Sequence, residues 1–501
     1  MNALGDIVGL VVVDGEREEE TGATPRRALA DEIRRRRRSR GLSHAQLAQM
    51  TGYTRQYISL AERHAGNLPS AELVRAIDNK LEANGQLIGL RAAAKAQQSL
   101  VRRGAFGTNS AAGHATTGRE VVPGSRAQRS QEDWLAVRNA PGVRGRELTE
   151  LAAWLYPQAQ RAPGGHVLAG PGWLMPRPVD VDSVVLRWSD APQTSPTLGP
   201  ADHVLPLTDS GQRYFGYSRA VRDIVRPRLL ENRLSYRLLS VDATGPLTLT
   251  FGTTTFFETF DVKQAVAHEF KAAWLASNRS LPDWTALPLR RTIRDDPFDP
   301  VRLLMSPGIS TLTVRRDTSG THHRFVLHER DGRKVADGGG LCHVIPAGEF
   351  QPSSVDPADI SNDLSVWRNI MREYSEEFLG NPEHDGSAPR PIDYAHTEPF
   401  RSFESARSSG GLRVWHYGLV MEPLELGVMQ LTVAVIDDRV FDDLFSAIVD
   451  TNDEGRVLRH AGRTDVPFTE EAIARLDPRL SASALTLLRL AWRDRIQLLD
   501  S

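Results

Sequence analysis

The chain has 501 residues, of which 40% are hydrophobic and 25% charged, and a formal net charge of −2. These proportions are ordinary for a soluble globular protein, and the length predicts two or three domains. The single cysteine, Cys342, excludes an internal disulfide framework and fits a reducing compartment.

No apolar run in the sequence reaches membrane length. The run at residues 7–13 is too short to span a bilayer, and it lacks the basic flank of a secretory signal, since a mainly acidic segment, residues 16–20, follows it. We therefore expect a cytoplasmic protein with no membrane partner.

Residues 42–63, LSHAQLAQMTGYTRQYISLAER, predict two short helices joined by a tight turn. Ser43 is placed to cap the first helix and Thr54 the second, and Gly52 gives the turn its unhindered backbone. The apolar inner faces of the two helices are supplied by Leu47, Ala48, Ile58 and Ala61.

The spacing of Ala48, Gly52 and Ile58 resembles the DNA-binding domain of phage-repressor-like regulators, the XRE or Cro/C1-type family. The likeness covers about residues 29–81, with His44 at a position where that family usually has glutamine. It implies an all-α helix-turn-helix domain at residues 24–95 that binds double-stranded DNA.

Charge agrees with this interpretation. Thirteen Lys or Arg and six Asp or Glu between Arg26 and Arg91 give this segment a net +7 on a chain of −2. Five consecutive arginines at residues 34–38 would repel one another unless a polyanion lies nearby. The alternatives are a solvated charged face and a helical hairpin with no DNA role.

Base reading in the major groove is assigned to the start of the second helix, where arginine suits guanine and glutamine suits adenine. The full set of expected DNA-binding residues is Ser43, His44, Thr54, Arg55, Gln56, Tyr57, Ser59, Arg63, Arg36 and Arg40. Of these, Arg63, His44, Arg36 and Arg40 are expected at phosphates.

A flexible linker is expected at residues 96–140, because residues 104–132 are rich in Gly, Ser, Thr and Ala and lack an apolar period. An α/β accessory domain is then expected at residues 141–300, with strands near 181–188, 236–242 and 247–252 and a helix at 262–276. Its function is not indicated by any motif.

The segment REYSEEFLG, residues 372–380, places Glu373, Glu376 and Glu377 on one face of a predicted helix. Clustered carboxylates suit Mg²⁺ or Mn²⁺, which can bridge to a substrate phosphate while a carboxylate acts as base. The alternative is a solvated helix in which Arg368, Arg372 and Glu376 pair along one face.

This segment resembles the second half of the Nudix box, and the surrounding strands and helices resemble a Nudix domain over about residues 303–499. The resemblance implies an α/β/α domain at residues 301–501, with Glu373 as the base, Arg372 orienting a carboxylate, and Glu376 and Glu377 as metal ligands. The box is degenerate. Gly348 lies further from Arg372 than the box allows, Ser354 stands where the box has glutamate, and Gly380 is displaced by one residue.

We therefore expect a multidomain, cytoplasmic, nucleoid-associated transcriptional regulator whose Nudix-like domain senses a nucleotide-type ligand and which binds DNA as a homodimer. The alternative is a Mg- or Mn-dependent Nudix-type hydrolase of a nucleoside diphosphate derivative, tethered to a DNA-binding module. A third interpretation is a DNA-bound scaffold that takes no small ligand.

Overall fold

The computed structural model describes residues 25–51, 58, 59, 61, 62, 69, 71–94, 125–140, 142, 146–191, 194–227, 230–320, 322–330, 341–382, 384, 390–446, 455–457 and 465–500. The chain divides into two compact units, Met1–Glu120 and Val121–Ser501. Within the described ranges, helices lack an apolar stretch long enough to cross a bilayer.

The smaller unit is helical throughout its described part. Its helices are α1 (Pro25–Ser39), α2 (His44–Thr51) and α3 (Ala71–Lys80). Residues 58, 59 and 61 and residues 86–94 are also helical. Gly41, which follows α1, has a φ of +70°, a conformation that lets the chain reverse before α2.

The helices of this unit enclose one apolar core. Leu29 and Ile33 of α1 and Leu47 of α2 are fully buried, and Ile58 is buried against them. The predicted inner face is thereby confirmed, since Ala48 and Ala61 are buried as well. Asp78 near the end of α3 accepts hydrogen bonds from Gly85 N (2.8 Å) and Leu87 N (2.9 Å), so it caps the helical residues 86–94.

The larger unit mixes helices and strands in alternation. Its first half contains α4 (Arg126–Asn139), α5 (Arg146–Ala153), β1 (Gln160–Arg161), β2 (Leu168–Ala169), β3 (Leu174–Asp180), β4 (Val185–Trp188), α6 (Tyr217–Ala220), β5 (Leu234–Asp242), β6 (Thr248–Thr255), α7 (Phe256–Ala276) and α8 (Pro288–Arg291). Thr255 begins α7 with a capping box to Glu258.

Its second half carries the longest strands. The elements are β7 (Gly308–Arg316), β8 (Arg324–Phe325), β9 (Leu327–Arg330), β10 (Cys342–Val344), β11 (Ala347–Glu349), α9 (Pro357–Asp363), α10 (Val366–Glu373), α11 (Phe400–Ser408), β12 (Leu412–Glu422), β13 (Gly427–Asp437), α12 (Asp438–Leu444), β14 (Gly455–Val457), β15 (Val466–Pro467), α13 (Glu470–Leu476), α14 (Ala482–Arg493) and α15 (Arg495–Asp500). A widened turn with π-helical bonding, Tyr374–Phe378, continues α10.

One mixed sheet organises the larger unit, with strand order β1-β2-β12-β13-β7-β8-β15, and β3 and β11 pairing with β12 and β7. β12 and β13 are antiparallel, whereas β13 and β7 run parallel, with Thr432 opposite Thr311. β4, β6 and β5 form a second sheet, and β10, β9 and β14 a third. The strands expected near 236–242 and 247–252 and the helix expected at 262–276 are confirmed. Of the strand expected near 181–188, only Val185–Trp188 is a strand, because a 3-10 turn occupies Val181–Ser183.

Helices cover both faces of the main sheet. One face packs in a core with α7, α10 and α11, including Phe270, Ile370 and Phe403. The other face packs against α13 and α14, including Ile473 and Leu487. Alternate residues of β13 therefore enter different cores, as a strand between two apolar layers requires.

Two expected boundaries need correction. The accessory region 141–300 and the region 301–501 are not separate domains, because β3 pairs with β12 and a single core joins Leu148 to Phe445. The expected linker 96–140 ends earlier than predicted, since α4 is a helix with Trp134 buried. Residues 104–124 lie outside the described part of the chain.

Candidate nucleic-acid interface

The start of α2 is fixed by a reciprocal cap. Ser43 Oγ accepts a hydrogen bond from Gln46 N (3.2 Å), and Ser43 N donates to Gln46 Oε1 (2.9 Å). This is a capping box, which satisfies two backbone donors that the first turn of a helix leaves unpaired. The predicted cap at Ser43 is confirmed, and the residue remains exposed at the end of the helix.

Glu62 joins three elements of the smaller unit. Its carboxylate accepts two hydrogen bonds from Arg37 of α1, at 2.5 Å from Nε and 2.9 Å from Nη2. His44 at the start of α2 lies 3.0 Å away through Nε2. Arg34 donates to the Glu62 carbonyl oxygen. The end of the second helix of the motif is thus tied to both helices that precede it.

The charge on Glu62 is stabilised by these partners. Burial would raise the pKa of Glu62, but the hydrogen bonds from Arg37 and His44, with their charges, lower it below its ordinary value. Arg37 also donates to Leu42 O (2.7 Å), so the guanidinium fixes the turn between α1 and α2. The network positions the helix that is predicted to read DNA.

The arginine run does not depend on an external polyanion, which corrects the argument from charge repulsion. Acidic side chains of the same unit neutralise most of it. Arg35 bonds to Glu32 at 2.8 Å, Arg36 to Glu32 at 2.7 Å, and Arg34 lies 3.4 Å from Asp31. Asp31 and Glu32 stand about one turn before the run, so their side chains reach it along the surface of α1.

Arg36 and Arg40 face the loop that follows α3. Arg36 donates to Glu82 O (3.3 Å) and to the Gln86 side chain, and Arg40 lies 3.0 Å from Glu82. Their expected phosphate contacts would have to coexist with these internal partners. His44 likewise has an internal partner in Glu62, although about a third of its side chain is exposed.

Of the DNA-binding residues expected on the second helix of the motif, the structure describes only Ser59. Ser59 is helical and half-buried. Thr54, Arg55, Gln56, Tyr57 and Arg63 lie outside the described residues.

In the larger unit, two glutamates after β11 approach that strand. A Cβ built on Gly348 would overlap the Glu373 carboxylate, so this carboxylate lies directly on the glycine backbone. Glu377 accepts from Ala347 N at 3.5 Å. Glu376 points elsewhere and accepts from His384 N at 3.3 Å. Glu373 and Glu377 therefore meet β11 at neighbouring residues, whereas Glu376, which was expected on the same helical face, lies apart from them.

Arg372 is bound to groups other than these glutamates. It is buried and donates to Gln351 O (2.5 Å) and Asn369 Oδ1 (2.8 Å), and its Nη1 lies 3.6 Å from the fully buried Asp363. It holds α9, α10 and the segment after β11 together. The expected role of Arg372 in orienting a box carboxylate stays a prediction.

A three-carboxylate metal site does not fit this arrangement. Among the residues that the structure describes, no three His, Cys, Asp or Glu side chains converge in a way that could hold a metal ion. Two of the three glutamates instead accept backbone hydrogen bonds.

The most connected residue pair, Arg37 and Glu62, was not predicted as a pair. A sequence signal did exist for Arg37, because Leu29, Ile33 and Arg37 recur every four residues on one helical face and the first two are buried. A residue on that stripe must be buried, and a buried arginine needs an acid. In the structure that acid is Glu62, which accepts two hydrogen bonds from Arg37.

Comparison with known proteins supports the smaller unit alone. Residues 28–89 match the family model of a helix-turn-helix domain. No curated protein matches the chain. The matched range contains most of α1, all of α2 and α3, and the Glu62 network, and it supports a DNA-binding regulator.

Proposed function

We propose that this chain is a sequence-specific transcriptional regulator of the XRE type, which binds operator DNA through residues 54–59 of its helix-turn-helix domain. The observation that carries the proposal is the match at residues 28–89, around a core in which Glu62 fixes the helices to one another. A helix that reads bases must be held rigidly, because base contacts require side chains placed to within a fraction of an ångström.

Phosphate contacts complete the proposed interface. Ser43 and His44 begin α2, and backbone amides at a helix start suit an anion. The exposed Arg38 and the partly exposed Arg40 add positive charge near the end of α1. Binding as a homodimer to two half-sites would add affinity, because the second contact is then intramolecular. Because its partner is DNA, the protein is proposed to be associated with the nucleoid.

The larger unit is proposed to be the ligand-sensing part, with Nudix ancestry. Three features support this: a mixed sheet covered on both faces, a helix with glutamates directed at the preceding strand β11, and a degenerate box. A fold that has lost its catalytic spacing can retain ligand binding. The ligand changes operator affinity by binding one conformation better than the other.

A metal-dependent hydrolase is the second candidate. Glu373 and Glu377 beside β11 favour it, since carboxylates next to a glycine backbone can approach a phosphate-bearing substrate with its metal. The hydrogen bonds of Arg372 and the separation of Glu376 from its neighbours weigh against it.

The test measures operator affinity of the full-length chain by fluorescence anisotropy, with and without a mixture of nucleotide sugars, dinucleotides and nucleoside triphosphates. Compounds retained by the protein are identified by mass spectrometry. A retained, uncleaved compound that changes operator affinity supports the regulator. If no compound alters the operator affinity, the proposed ligand-sensing role of the larger unit is wrong.

A further inference from the structure

Phe215 is the most exposed large apolar side chain that the structure describes. Its relative exposure is 103%, so the whole ring projects into solvent, whereas its neighbour Tyr214 is buried, as is Tyr217. Every other phenylalanine in the described ranges is at least partly buried. Single exposed apolar residues are common on protein surfaces, so the surroundings of Phe215 decide whether its exposure has a role.

The chain after Phe215 holds its arginines on the outer side of a helical segment. Phe215 precedes α6, and a turn with π-helical bonding, Val221–Val225, continues this helix. Tyr217 and Val221 face inward and belong to one of the apolar cores. The exposed residues of the segment include three arginines at helical spacing, Arg219, Arg222 and Arg226.

The three arginines lie close together, because all of them approach Asp223. Arg219 Nε is 2.8 Å from Asp223 Oδ2, and Arg222 Nε is 3.8 Å from Oδ1 of the same carboxylate. Arg226 Nε donates to the Asp223 carbonyl oxygen at 2.9 Å. The arginines therefore form one cluster on the surface.

Phe215 stands beside this cluster, and the cluster is basic. Burial raises the pKa of its neighbour Tyr214, and Asp223 and Asp209 raise it further, so both acids lie near that residue. Residues 213–226 contain four arginines and one acidic residue, on a chain whose net charge is −2. When Asp209 is included, this part of the surface still has an excess of two positive charges.

The arginines keep donors for a further partner. The side chains of Arg219 and Arg222 are 57% and 47% exposed. The contacts of Arg219, Arg222 and Arg226 with Asp223 each use Nε, and a guanidinium has five N–H donors. Ion pairs at this exposure are weak, because water screens them. A phosphate can therefore bind the terminal nitrogens while Asp223 orients the guanidinium groups.

A row of arginines beside an exposed aromatic ring suits a nucleic acid. A helix rises roughly 10 Å from Arg219 to Arg226, which corresponds to about three phosphate steps along one strand of a duplex. Arginines bind phosphate oxygens, and phenylalanine is among the side chains that enter the minor groove. An inorganic phosphate ion would use the arginines but would leave Phe215 exposed. Duplex DNA is favoured, because residues 28–89 of the same chain match a helix-turn-helix domain.

We propose that the Phe215 surface, defined as Phe215 with Arg219, Arg222 and Arg226, is a second DNA contact of this chain. The arginines bind phosphates of the duplex, and Phe215 packs in the minor groove. The inference rests on the proposed function in that DNA is the partner. The second contact is intramolecular once the smaller unit is bound, so a modest affinity is sufficient. Because it consists of phosphate and groove contacts, it strengthens binding to every sequence alike.

The experiment measures binding of the full-length chain to a random-sequence duplex of about 40 bp by fluorescence anisotropy, at roughly 50 to 200 mM salt. The double variant Arg219→Ala, Arg222→Ala weakens binding by about tenfold. The slope of log affinity against log salt becomes shallower by about two, because two phosphate contacts are lost. Phe215→Ser weakens binding without changing the slope, since an apolar contact releases no counterion. Thermal unfolding followed by circular dichroism checks the fold of each variant.

The controls remove similar groups elsewhere on the larger unit. The double variant Arg401→Ala, Arg479→Ala removes two arginines that are 62% and 50% exposed and paired with acids. Ile496→Ser removes an exposed apolar side chain from α15, which packs on the opposite face of the main sheet from α7. Both controls keep the affinity and the salt slope of the wild type. Equal losses in the controls and in the variants of the Phe215 surface would overturn the proposal.

Failure of this inference is distinguishable from failure of the proposed function. If the wild type prefers no sequence but Arg219→Ala, Arg222→Ala still weakens binding to the random duplex, the second contact is supported and the sequence-specific regulator is wrong. If variants of the Phe215 surface bind the random duplex as tightly as the wild type does, the second contact is wrong, whether or not the chain selects an operator.

Two other occupants of the Phe215 surface give different results. The first is a membrane: the wild type binds vesicles of phosphatidylcholine and phosphatidylserine, and Phe215→Ser loses this binding while its DNA affinity is unchanged. The second is another copy of the chain: sedimentation without DNA shows a smaller oligomer for Phe215→Ser than for the wild type. Either result would overturn the proposal.

Discussion

Arg37 and Glu62 form a buried, two-point ion pair between the first helix of the smaller unit and the end of the helix predicted to read DNA. The two nitrogen–oxygen distances are 2.5 Å and 2.9 Å, and both side chains are less than a tenth exposed. A planar guanidinium facing a carboxylate in this way fixes orientation as well as distance. The pair thus determines how the second helix of the motif is presented.

Arg37→Ala is expected to destabilise the smaller unit by about 3–5 kcal/mol, because it leaves the Glu62 carboxylate buried without its main partner. Hydrogen–deuterium exchange of the amides in residues 25–51 of the full-length chain measures this loss. The double variant Arg37→Met, Glu62→Leu is the control and recovers most of the protection, since an apolar pair replaces the ionic one. Unchanged exchange in Arg37→Ala would contradict the account of the network.

The smaller unit is expected to lose stability in acid. The pKa of Glu62 in the folded chain lies below its ordinary value of 4.5. The contribution of Glu62 is therefore complete above about pH 4.5 and is lost as the pH falls through the lowered pKa. Exchange of residues 25–51, followed from pH 7 downward, measures this dependence. In Glu62→Gln, the protection of these amides falls less as the pH is lowered, because the titrating carboxylate is absent. The same pH dependence in this variant as in the wild type would show that other groups cause it.

The double variant Arg55→Ala, Gln56→Ala is expected to lose preference for a selected operator and to keep weak, salt-sensitive binding, because base contacts are removed and phosphate contacts remain. Fluorescence anisotropy against operator and scrambled DNA measures the ratio of affinities. Arg35→Ala is the control, since Arg35 is exposed and paired with Glu32, and it keeps the preference. If the double variant prefers the operator as strongly as the wild type does, another segment of the chain reads the bases.

The double variant Glu373→Gln, Glu377→Gln tests the hydrolase. We expect neither wild type nor variant to release products from nucleotide sugars, dinucleotides or nucleoside triphosphates with Mg²⁺ or Mn²⁺. The reason is that Glu376 lies apart from Glu373 and Glu377, and no three such ligands converge in the described part of the chain. Mass spectrometry of the reaction mixtures measures turnover. Products formed by the wild type and absent in the variant would make the chain a hydrolase.

Gly348→Ala is expected to destabilise the larger unit by about 1–3 kcal/mol, since the added methyl group overlaps the Glu373 carboxylate and forces β11 away from α10. Thermal unfolding measures the change. Gly245→Ala is the control, because nothing lies within 4 Å of a Cβ at that position. If the overlap with the Glu373 carboxylate is the cause, the double variant Gly348→Ala, Glu373→Ala is more stable than Gly348→Ala alone. A loss of stability in the double variant equal to the sum of the losses in the two single variants would exclude the overlap as the cause.

The regular elements could be predicted because local patterns determine them. Ser43 and Thr255 have the cap chemistry that begins a helix, and the alternating residues of β13 separate two cores. The parts that could not be predicted depend on distant residues. β1 and β2 have two residues each, too few for any period, and β2 joins the main sheet only by pairing with β12, more than 240 residues later in the chain.

The polar groups of the larger unit were only half visible in the sequence. Glu373, Glu376 and Glu377 were found from their helical spacing, but the π turn Tyr374–Phe378, which carries the last two, has no spacing signal. Gln430 and Thr432 stand at alternate positions of an otherwise apolar strand, which indicates a shared polar face. Gln430 lies 3.4 Å from His416 of β12, a contact that follows only from the register of the sheet.

Selection of DNA from a randomised duplex library by the full-length chain, at moderate salt, tests the central claim most directly. The account predicts enrichment of a motif with two half-sites about one helical turn apart, lost when the library is presented to the Arg55→Ala, Gln56→Ala variant. A library that emerges unchanged, with binding that falls with salt equally for every sequence, would contradict a sequence-specific regulator.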